Sequence, residues 1–167
     1  EVVFNGSYGR GDDLEVTVRP RSDTKLSVRV PVGAISGPVT VVTSQGAKSI
    51  NQAVSGAAKA ITAAGVQVLH IVGARNDDFS VPSDLSAPYV VLKFLREMEL
   101  GYAAGDLAVC RGGAMTCAET AALGMPAVYV PLPWGNGEQR RNALPVVEAG
   151  GGLLCEDADL TPAYIES

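Results

Sequence analysis

The sequence is short of histidine, tryptophan and long apolar runs, and each shortage excludes a class of protein. It has one histidine and one tryptophan in 167 residues, so a metal site built from several histidines is excluded. Its three cysteines, Cys110, Cys117 and Cys155, form no Cys-x-x-Cys pair, which argues against a zinc site and for reduced thiols. No apolar run approaches the ~20 residues of a membrane span, and no signal peptide is recognisable. We therefore expect a cytoplasmic protein.

Positive charge is also scarce. The chain has 13 Lys and Arg against 18 Asp and Glu, a formal net charge of −5, so we expect no nucleic-acid partner. The sequence is 47% hydrophobic and contains 19 glycines, a composition typical of packed α/β structure. The length is enough for one domain with a substantial core.

The most informative stretch is residues 110–144. The apolar run Leu107–Cys110 predicts a buried strand, and Gly112 and Gly113 follow it. Thr116-Cys117-Ala118-Glu119 has the pattern of a capping box, which predicts that a helix begins there and runs to Gly124. A glycine loop that leads into a helix N-terminus suits a phosphate group. The alternative is that the glycines only form a turn and Glu119 only caps the helix.

A second loop of the same kind follows the next predicted strand, 127–132. Gly135-Asn136-Gly137-Glu138-Gln139 places small and amide residues before a predicted helix over 138–149. Two such loops in succession are expected at the carboxyl ends of parallel strands, where open α/β sheets bind ligands.

The chain from residue 39 onward alternates between strands and helices. The patterns predict strands over 39–42, 66–72, 89–92 and 153–155, helices over 48–64 and 96–104, and a last helix with Thr161 as N-cap and Pro162 in its first turn. The predicted fold class is α/β, a Rossmann-like and mostly parallel sheet with an N-terminal antiparallel β segment.

The first forty residues have a different pattern. Leu14–Val18 and Leu26–Val30 alternate between apolar and polar side chains, which predicts a hairpin. Residues 1–43 resemble half of a TIG/IPT domain, an immunoglobulin-like sandwich. The strand over 39–42 could end that unit or begin the α/β domain. We expect domains at 1–38 and 39–167, joined as an engineered or recombined chimera, with a natural, divergent linker as the alternative. The apolar face of the hairpin would be buried on the α/β domain or in a homodimer.

Three longer motifs carry a second resemblance. CRGGAMTCAE, GMPAVYVPLP and GNGEQRRNALPVVEAG resemble the C-terminal, donor-binding domain of the MurG family, in its actinobacterial form, and the likeness extends over residues 44–165. These GT-B glycosyltransferases transfer N-acetylglucosamine from UDP-GlcNAc to lipid-linked muramyl-pentapeptide in peptidoglycan biosynthesis. The resemblance implies half of a GT-B enzyme.

The resemblance also implies roles for particular residues. Ala114, Met115 and Thr116 would lie at the diphosphate, with Ser44 facing it from the first helix. Glu119 would accept hydrogen bonds from the ribose hydroxyls. Phe94 and Leu95 would border the uracil, although Phe94 could equally be a core residue. Residues reaching or supporting the sugar of UDP-GlcNAc would be Glu138, Gln139 and Asn142.

The mechanism implied is an inverting displacement that needs no metal and no cofactor. The acceptor-binding half of such an enzyme is expected to be absent, along with its general base, so this chain alone is expected to be inactive. Peripheral membrane association is implied only for the full-length family enzyme. The alternatives are a chimera without physiological function and a β-sandwich-type binding module. Of the remaining reactive residues, His70 and Cys117 are expected to be structural, and Arg111 to be solvated or at a phosphate.

Overall fold

The computed structural model describes residues 2–3, 14–18, 26–30, 39–43, 47–76 and 78–167. In chain order its elements are β1 (Val2–Val3), β2 (Leu14–Val18), β3 (Leu26–Val30), β4 (Val39–Thr43), α1 (Lys48–Gly56), α2 (Ala58–Ala63), β5 (Gln67–Ile71), β6 (Tyr89–Leu92), α3 (Met98–Ala104), β7 (Leu107–Cys110), α4 (Ala114–Leu123), β8 (Ala127–Tyr129), α5 (Glu138–Glu148), β9 (Gly152–Leu154) and α6 (Pro162–Glu166).

Six of these strands form one parallel sheet. Its order is β6-β5-β4-β7-β8-β9, and every neighbouring pair is parallel. The first α/β strand, β4, therefore lies beside the fourth, β7, and the chain reverses its direction of winding between them. This is the strand order of the Rossmann fold, which confirms the predicted fold class. The rule for such sheets places the ligand crevice at the carboxyl ends of β4 and β7.

Strand β4 belongs to the parallel sheet. It pairs with β5 on one edge and with β7 on the other, so both of its edges are occupied. Val41 and Val42 are fully buried on opposite faces of the sheet. A strand that is covered on both faces has a continuous apolar sequence without alternation. This explains why the sequence alone did not decide whether the strand belongs to the N-terminal unit or to the α/β domain.

Helices cover both faces of the parallel sheet. On one face, Val42, Val68 and Val109 pack with residues of α1 and α6. On the other, Ala108 and Tyr129 pack with residues of α3, α4 and α5. The result is a doubly wound, three-layer arrangement in which the helix N-termini follow the carboxyl ends of the strands.

The predicted hairpin is confirmed as an antiparallel pair. Leu14 is opposite Val30, and Val18 is opposite Leu26. Strand β1 joins β3 in parallel, which gives a three-stranded sheet of order β1-β3-β2. Among the described strands, these three form a sheet separate from the parallel one. The alternation of apolar and polar side chains in β2 and β3 was enough to predict this pairing, because the two strands are close in sequence.

The helix predicted over 48–64 is interrupted. Helix α1 ends at Gly56 and α2 begins at Ala58, with Ala57 between them at φ −84° and ψ −4°. Glycine is a poor helix former. A Cβ at Gly56 would also lie 2.7 Å from Cγ of Pro162, so α6 packs directly over this position. The interruption lies where a distant segment needs close approach, which local periodicity does not reveal.

Candidate functional site

The N-terminus of α4 lies at the reversal point of the sheet and has no side-chain cap. Gly113 is its N-cap residue in an extended conformation, with φ −66° and ψ 146°. The backbone N–H of Cys117 donates to the carbonyl of Gly113 at 2.9 Å. The N–H groups of the first turn point out of the helix, and together with the helix dipole they favour an anion.

The predicted capping box is therefore wrong. Helix α4 begins at Ala114, so Thr116 and Glu119 both lie inside it. The physical reason is the glycine pair, which allows the chain to turn into the helix directly after β7. Glu119 is consequently released from a capping role, and its carboxylate is half-buried on the helix surface.

Tyr102 lies in the core beside α4. This tyrosine belongs to α3 and is only 4% exposed. It packs in a cluster with Cys110 of β7 and Cys117 of α4. Burial, with the negative charge of nearby groups, raises the pKa of Tyr102 well above its ordinary value.

A cavity of about 370 Å³ lies at the carboxyl ends of β5 and β6. Phe94 is 72% exposed, so the interpretation of it as a core residue is wrong. It follows an outer strand of the sheet, where fewer elements are available to cover it. The cavity is lined by Ile71, Gly73, Ala74, Lys93, Phe94, Leu95, Arg96 and Met98.

The loop between β8 and α5 is held by three hydrogen bonds. The Leu132 N–H donates to Oε1 of Gln139 at 3.0 Å, and the Glu138 N–H donates to Oδ1 of Asn136 at 3.0 Å. Arg141 Nη1 donates to the Asn136 carbonyl at 2.7 Å. The loop presents Trp134, which is 70% exposed and which sequence reasoning did not select.

Asn142 connects the two glycine-containing loops. Its Nδ2 donates to the carbonyl of Gly112 at 3.2 Å, so a side chain of α5 holds the turn that leads into α4. On α4, Met115 is 72% exposed and Ala114 is exposed beside it. Ser44 lies outside the described residues. The structure thus brings most of the selected residues to one edge of the sheet, on three successive βα connections.

Arg111 is not a solvated side chain, which was one of the two alternatives that the sequence left open. It forms an ion pair with Asp157, and the side chains of the two residues are 14% and 16% exposed. Its Nη1 also donates to the carbonyls of Val130 and Pro131, at 3.0 and 3.2 Å. Its Nη2 donates to Oγ of Ser49 at 2.9 Å, and Ser49 in turn donates to Asp157 at 2.7 Å.

This Arg111 network joins four segments at the carboxyl edge of the sheet. They are the turn after β7, the end of β8, the first turn of α1 and the connection after β9. With these partners, the guanidinium group of Arg111 holds the loops together. We infer that its contribution to the site is indirect, through loop geometry.

His70 is structural, as expected. It is fully buried, and burial lowers its pKa to about 3. Nδ2 of Asn51 donates to the Val72 carbonyl, so Oδ1 of Asn51 accepts from Nε2 of His70 at 2.8 Å. Nδ1 then accepts from the Tyr89 hydroxyl at 2.7 Å. The neutral ring of His70 thus connects α1 with strands β5 and β6.

The three cysteines are buried, which makes them poor candidates for a nucleophile. Burial raises the pKa of Cys117 in spite of its place in the first turns of α4, and it raises the pKa of Cys110 to about 12. Within the described part of the chain, no group of three or more His, Cys, Asp or Glu side chains could hold a metal ion. No helix among the described residues is both long and apolar enough to cross a bilayer.

Comparison with known proteins identifies the family of this chain. The profile of the Glycosyltransferase family 28 C-terminal domain matches residues 39–167. The chain is 60% identical over 123 residues to a protein of Mycobacterium sp. strain KMS, and 63% identical over 119 residues to one of Mycolicibacterium smegmatis. Both are UDP-N-acetylglucosamine–N-acetylmuramyl-(pentapeptide) pyrophosphoryl-undecaprenol N-acetylglucosamine transferases. The matches cover 73% and 71% of this chain, but only 33% and 31% of those proteins. The chain thus spans about a third of its relatives' length.

Solved structures agree with the fold. MurG of Acinetobacter baumannii superposes with a TM-score of 0.66 at 26% identity, over 79% of this chain and 40% of that one. The glycosyltransferase VinC, solved with dTDP, superposes with a TM-score of 0.60 at 20% identity, over 81% and 33%, and supports the fold alone. The profile match covers residues 39–167, the whole of the parallel sheet and its helices. The chain therefore belongs to glycosyltransferase family 28 and carries its C-terminal domain.

Proposed function

We propose that this chain is the donor-binding part of an N-acetylglucosaminyltransferase of peptidoglycan synthesis, and that it binds UDP-GlcNAc. The observation that carries the proposal is the uncapped N-terminus of α4 at the reversal point of the sheet, reached through Gly112 and Gly113. Relatives at 60% identity are named for transfer of this sugar to pyrophosphoryl-undecaprenol-linked muramyl-pentapeptide, which supports the choice of donor and acceptor.

The diphosphate would lie on the first turn of α4. Ala114, Met115 and Thr116 form that turn, and their N–H groups can donate to phosphate oxygens. Ser44 would face the same group from the loop after β4. When the anomeric carbon leaves the diphosphate, negative charge grows on the leaving oxygen, and the positive end of the α4 dipole stabilises it.

The nucleoside would extend from α4 toward the cavity beside β6. Glu119 would accept hydrogen bonds from the ribose hydroxyls, and Phe94 and Leu95 would border the uracil. The size of the cavity, about 370 Å³, suits a pyrimidine ring with part of its ribose, and its lining is largely apolar. The exposed ring of Phe94 is suited to contact with a base.

The sugar would lie toward the loop before α5. Glu138 and Gln139 would reach its hydroxyls, and Asn142 would hold the neighbouring turn. Oε1 of Gln139 already accepts from the Leu132 N–H, and its amide nitrogen can donate at the same time. The reaction would be an inverting displacement, in which an acceptor hydroxyl attacks the anomeric carbon as UDP leaves.

Residues 1–38 would be a separate β unit joined to this domain. The family profile begins at residue 39, where β4 begins, which supports a boundary there. Resemblance to half of a TIG/IPT domain, and with it the chimera and the homodimer through the hairpin, stay predictions. Measuring the mass in solution with and without residues 1–38 tests the homodimer, because deletion should then convert a dimer to a monomer.

Titration of the protein with UDP and UDP-GlcNAc tests the proposed function. We expect dissociation constants of about 0.1–1 mM, or about 4–5.5 kcal/mol, because Val42 and Thr43 precede Ser44 where the family resemblance leads one to expect glycines. Amide chemical shifts should change at residues 94–95 and 113–119, and ADP should bind more weakly. Absence of binding at 10-fold higher concentration, or shift changes confined to other faces, would contradict the proposal.

The 167-residue polypeptide alone should not transfer the sugar. It spans about a third of the length of its relatives, and we expect the acceptor site and the general base to lie in the remainder of the complete enzyme. Transfer of radiolabelled N-acetylglucosamine to a lipid-linked acceptor by the purified polypeptide would show that this expectation is wrong.

A further inference from the structure

Arg111 connects the two layers of helices at the carboxyl edge of the sheet. Cys110 pairs in register with Thr43, so Arg111 leaves the sheet at its reversal point, between β7 and β4. Its backbone leads into α4, which packs on one face of the sheet. Its Nη2 donates at 2.9 Å to Oγ of Ser49 in the first turn of α1, which packs on the other face. One residue therefore joins the starts of two helices that lie on opposite sides of the sheet.

The partners of this guanidinium group restrict the turn before α4 on several sides. Nη1 donates to the carbonyls of Val130 and Pro131 directly after β8, at 3.0 and 3.2 Å, and it pairs with Asp157. Oγ of Ser49 donates in turn to Asp157 at 2.7 Å, which closes a ring of three side chains. A planar guanidinium group holds its partners in one geometry. A shift of the turn relative to α1 or β8 would break at least one of these bonds.

Arg111 itself is poorly placed to bind a phosphate group. Its charge is paired with Asp157, and the two side chains are 14% and 16% exposed. Its Nε is buried and has no hydrogen-bond partner among the described residues, so this N–H does not reach a ligand in the crevice. Because the neighbouring carboxylate offsets the positive charge, the attraction of Arg111 for a phosphate group is weakened. Its effect on a bound diphosphate would run through the first turn of α4.

The Arg111 network serves one side of the ligand crevice. Its members lie after β7, after β8, in the first turn of α1 and after β9. The cavity beside β6, by contrast, is lined by residues from 71–74 and 93–98, and none of these is among the partners of Arg111. Changes in the network should therefore affect a diphosphate on α4 and leave a nucleoside in the cavity unaffected.

We propose that Arg111 is a positioning residue for the donor diphosphate. It holds the turn before α4 against Ser49 and the end of β8, so that the N–H groups of the first turn of α4 are fixed toward the phosphate oxygens before the donor binds. Donors fixed in this way need no reorganisation when charge develops on the leaving diphosphate. The inference rests on the proposed function, in which these N–H groups bind the diphosphate, and it names the side chains that keep them in place.

Asp157→Asn and Ser49→Ala test the inference, with UDP and uridine as ligands. Uridine has no diphosphate, and amide chemical shifts at residues 94–95 report both ligands, with initial slopes giving relative affinities below saturation. We expect the dissociation constant for UDP to rise about 3–10-fold in each variant, as for the loss of one hydrogen bond. The constant for uridine should change less than about 2-fold on the same scale. Direct binding of phosphate by Arg111 predicts the opposite sign, because Asp157→Asn would release the guanidinium group and UDP would bind more tightly.

Two further variants separate geometry from charge and from general damage to α1. Arg111→Lys keeps the positive charge but has one nitrogen in place of the planar fork, so it should weaken UDP binding at least as much as Ser49→Ala does. Ser55→Ala is the matched control, because this hydroxyl lies in the last turn of α1 and donates to the carbonyl of Gln52 at 3.3 Å. It should bind both ligands as the parent does.

The outcomes separate the inference from the proposed function. If the parent binds UDP at the start of α4, the inference is overturned when the folded variants bind both ligands as the parent does or weaken both alike. Tighter binding of UDP by Asp157→Asn, or full UDP affinity in Arg111→Lys, also overturns it, and the proposed function stands in each of these cases. If the parent binds no UDP at this edge of the sheet, both are overturned. Should Asp157→Asn or Arg111→Lys not fold, Ser49→Ala, which loses one hydroxyl, decides by the same comparison of UDP with uridine.

Discussion

Gly112 lies directly against the backbone of Gln139. A Cβ at Gly112 would overlap the carbonyl oxygen of Gln139 and lie 3.0 Å from its carbonyl carbon. The turn after β7 and the first turn of α5 are therefore in van der Waals contact, and Asn142 adds a hydrogen bond to the Gly112 carbonyl. Two loops that the sequence marked separately form one structure. The space beside Gly112, which the sequence suggested for a phosphate group, is filled by the backbone of α5 at Gln139.

Gly112→Ala should therefore destabilise the domain by about 2 kcal/mol or more, since one of the two loops must move. The matched control is Gly113→Ala, where the nearest atom to the new Cβ is Oγ1 of Thr116 at 3.7 Å and the backbone is extended. Because alanine is a poorer N-cap than glycine but also reduces the freedom of the unfolded chain, this control should change the free energy of unfolding by less than about 1 kcal/mol. Urea denaturation measures both. Equal effects of the two substitutions would contradict the packing argument.

Asp157→Asn should destabilise the fold through Arg111. The substitution removes the charge from a largely buried ion pair and leaves a guanidinium poorly compensated, which we expect to cost about 2–3 kcal/mol. Asp84→Asn is the control, because the Lys59–Asp84 pair is exposed, at 62% and 69%. It should leave the unfolding midpoint unchanged. If Asp157→Asn is as harmless as the control, Arg111 does not hold these loops together.

Stability should fall as the pH is lowered from 7 to 5, because of His70. Its pKa is lowered from 6.5 to about 3 in the folded protein. Between these two pH values the unfolded chain binds a proton at His70 and the folded chain does not. The stabilisation is fully present above pH 6.5 and is lost progressively down to pH 3. Between pH 7 and 5 the loss should be about 2 kcal/mol.

The comparison for His70 is the pH dependence of unfolding in His70→Gln, which cannot titrate. Its stability at pH 7 should be lower, because two buried hydrogen bonds change, but its profile from pH 7 to 5 should be flatter than that of the parent. The sequence contains one histidine, so no other imidazole contributes in this range. A parent profile as flat as that of the variant would refute the assignment.

Glu119→Gln should weaken UDP binding by about 1–2 kcal/mol, as loss of charge from an acceptor of ribose hydroxyls would. The amide has nearly the same size and shape as the carboxylate and keeps one acceptor oxygen, so the local packing is kept. Because α4 begins at Ala114, Glu119 does not cap the helix and the test is free of that complication. Glu148→Gln, exposed in the last turn of α5, is the control and should bind as the parent does. Unchanged UDP affinity in Glu119→Gln, without shift changes at Phe94 and Leu95, would remove the donor-site assignment.

The sequence by itself determined the elements and their class. Apolar runs of strand length, helical periodicity, and stops such as Gly124 act over a few residues, so a single chain shows them directly. Thr161 illustrates this: its side chain accepts from the Tyr164 N–H at 3.2 Å and Pro162 follows it, as the local pattern predicted. The alternation of strands and helices then predicted that the sheet is mostly parallel.

The tertiary structure alone decided which polar groups meet. Arg111 and Asp157 are 46 residues apart, so no local pattern joins them. It also placed the start of α4 at Ala114, directly after the glycine pair that lets the chain turn. Hydrogen-bond partners at the edge of a sheet depend on which loops the strand order brings together. For this reason the sequence could select Asn142, while only the folded chain showed that its side chain holds the turn at Gly112.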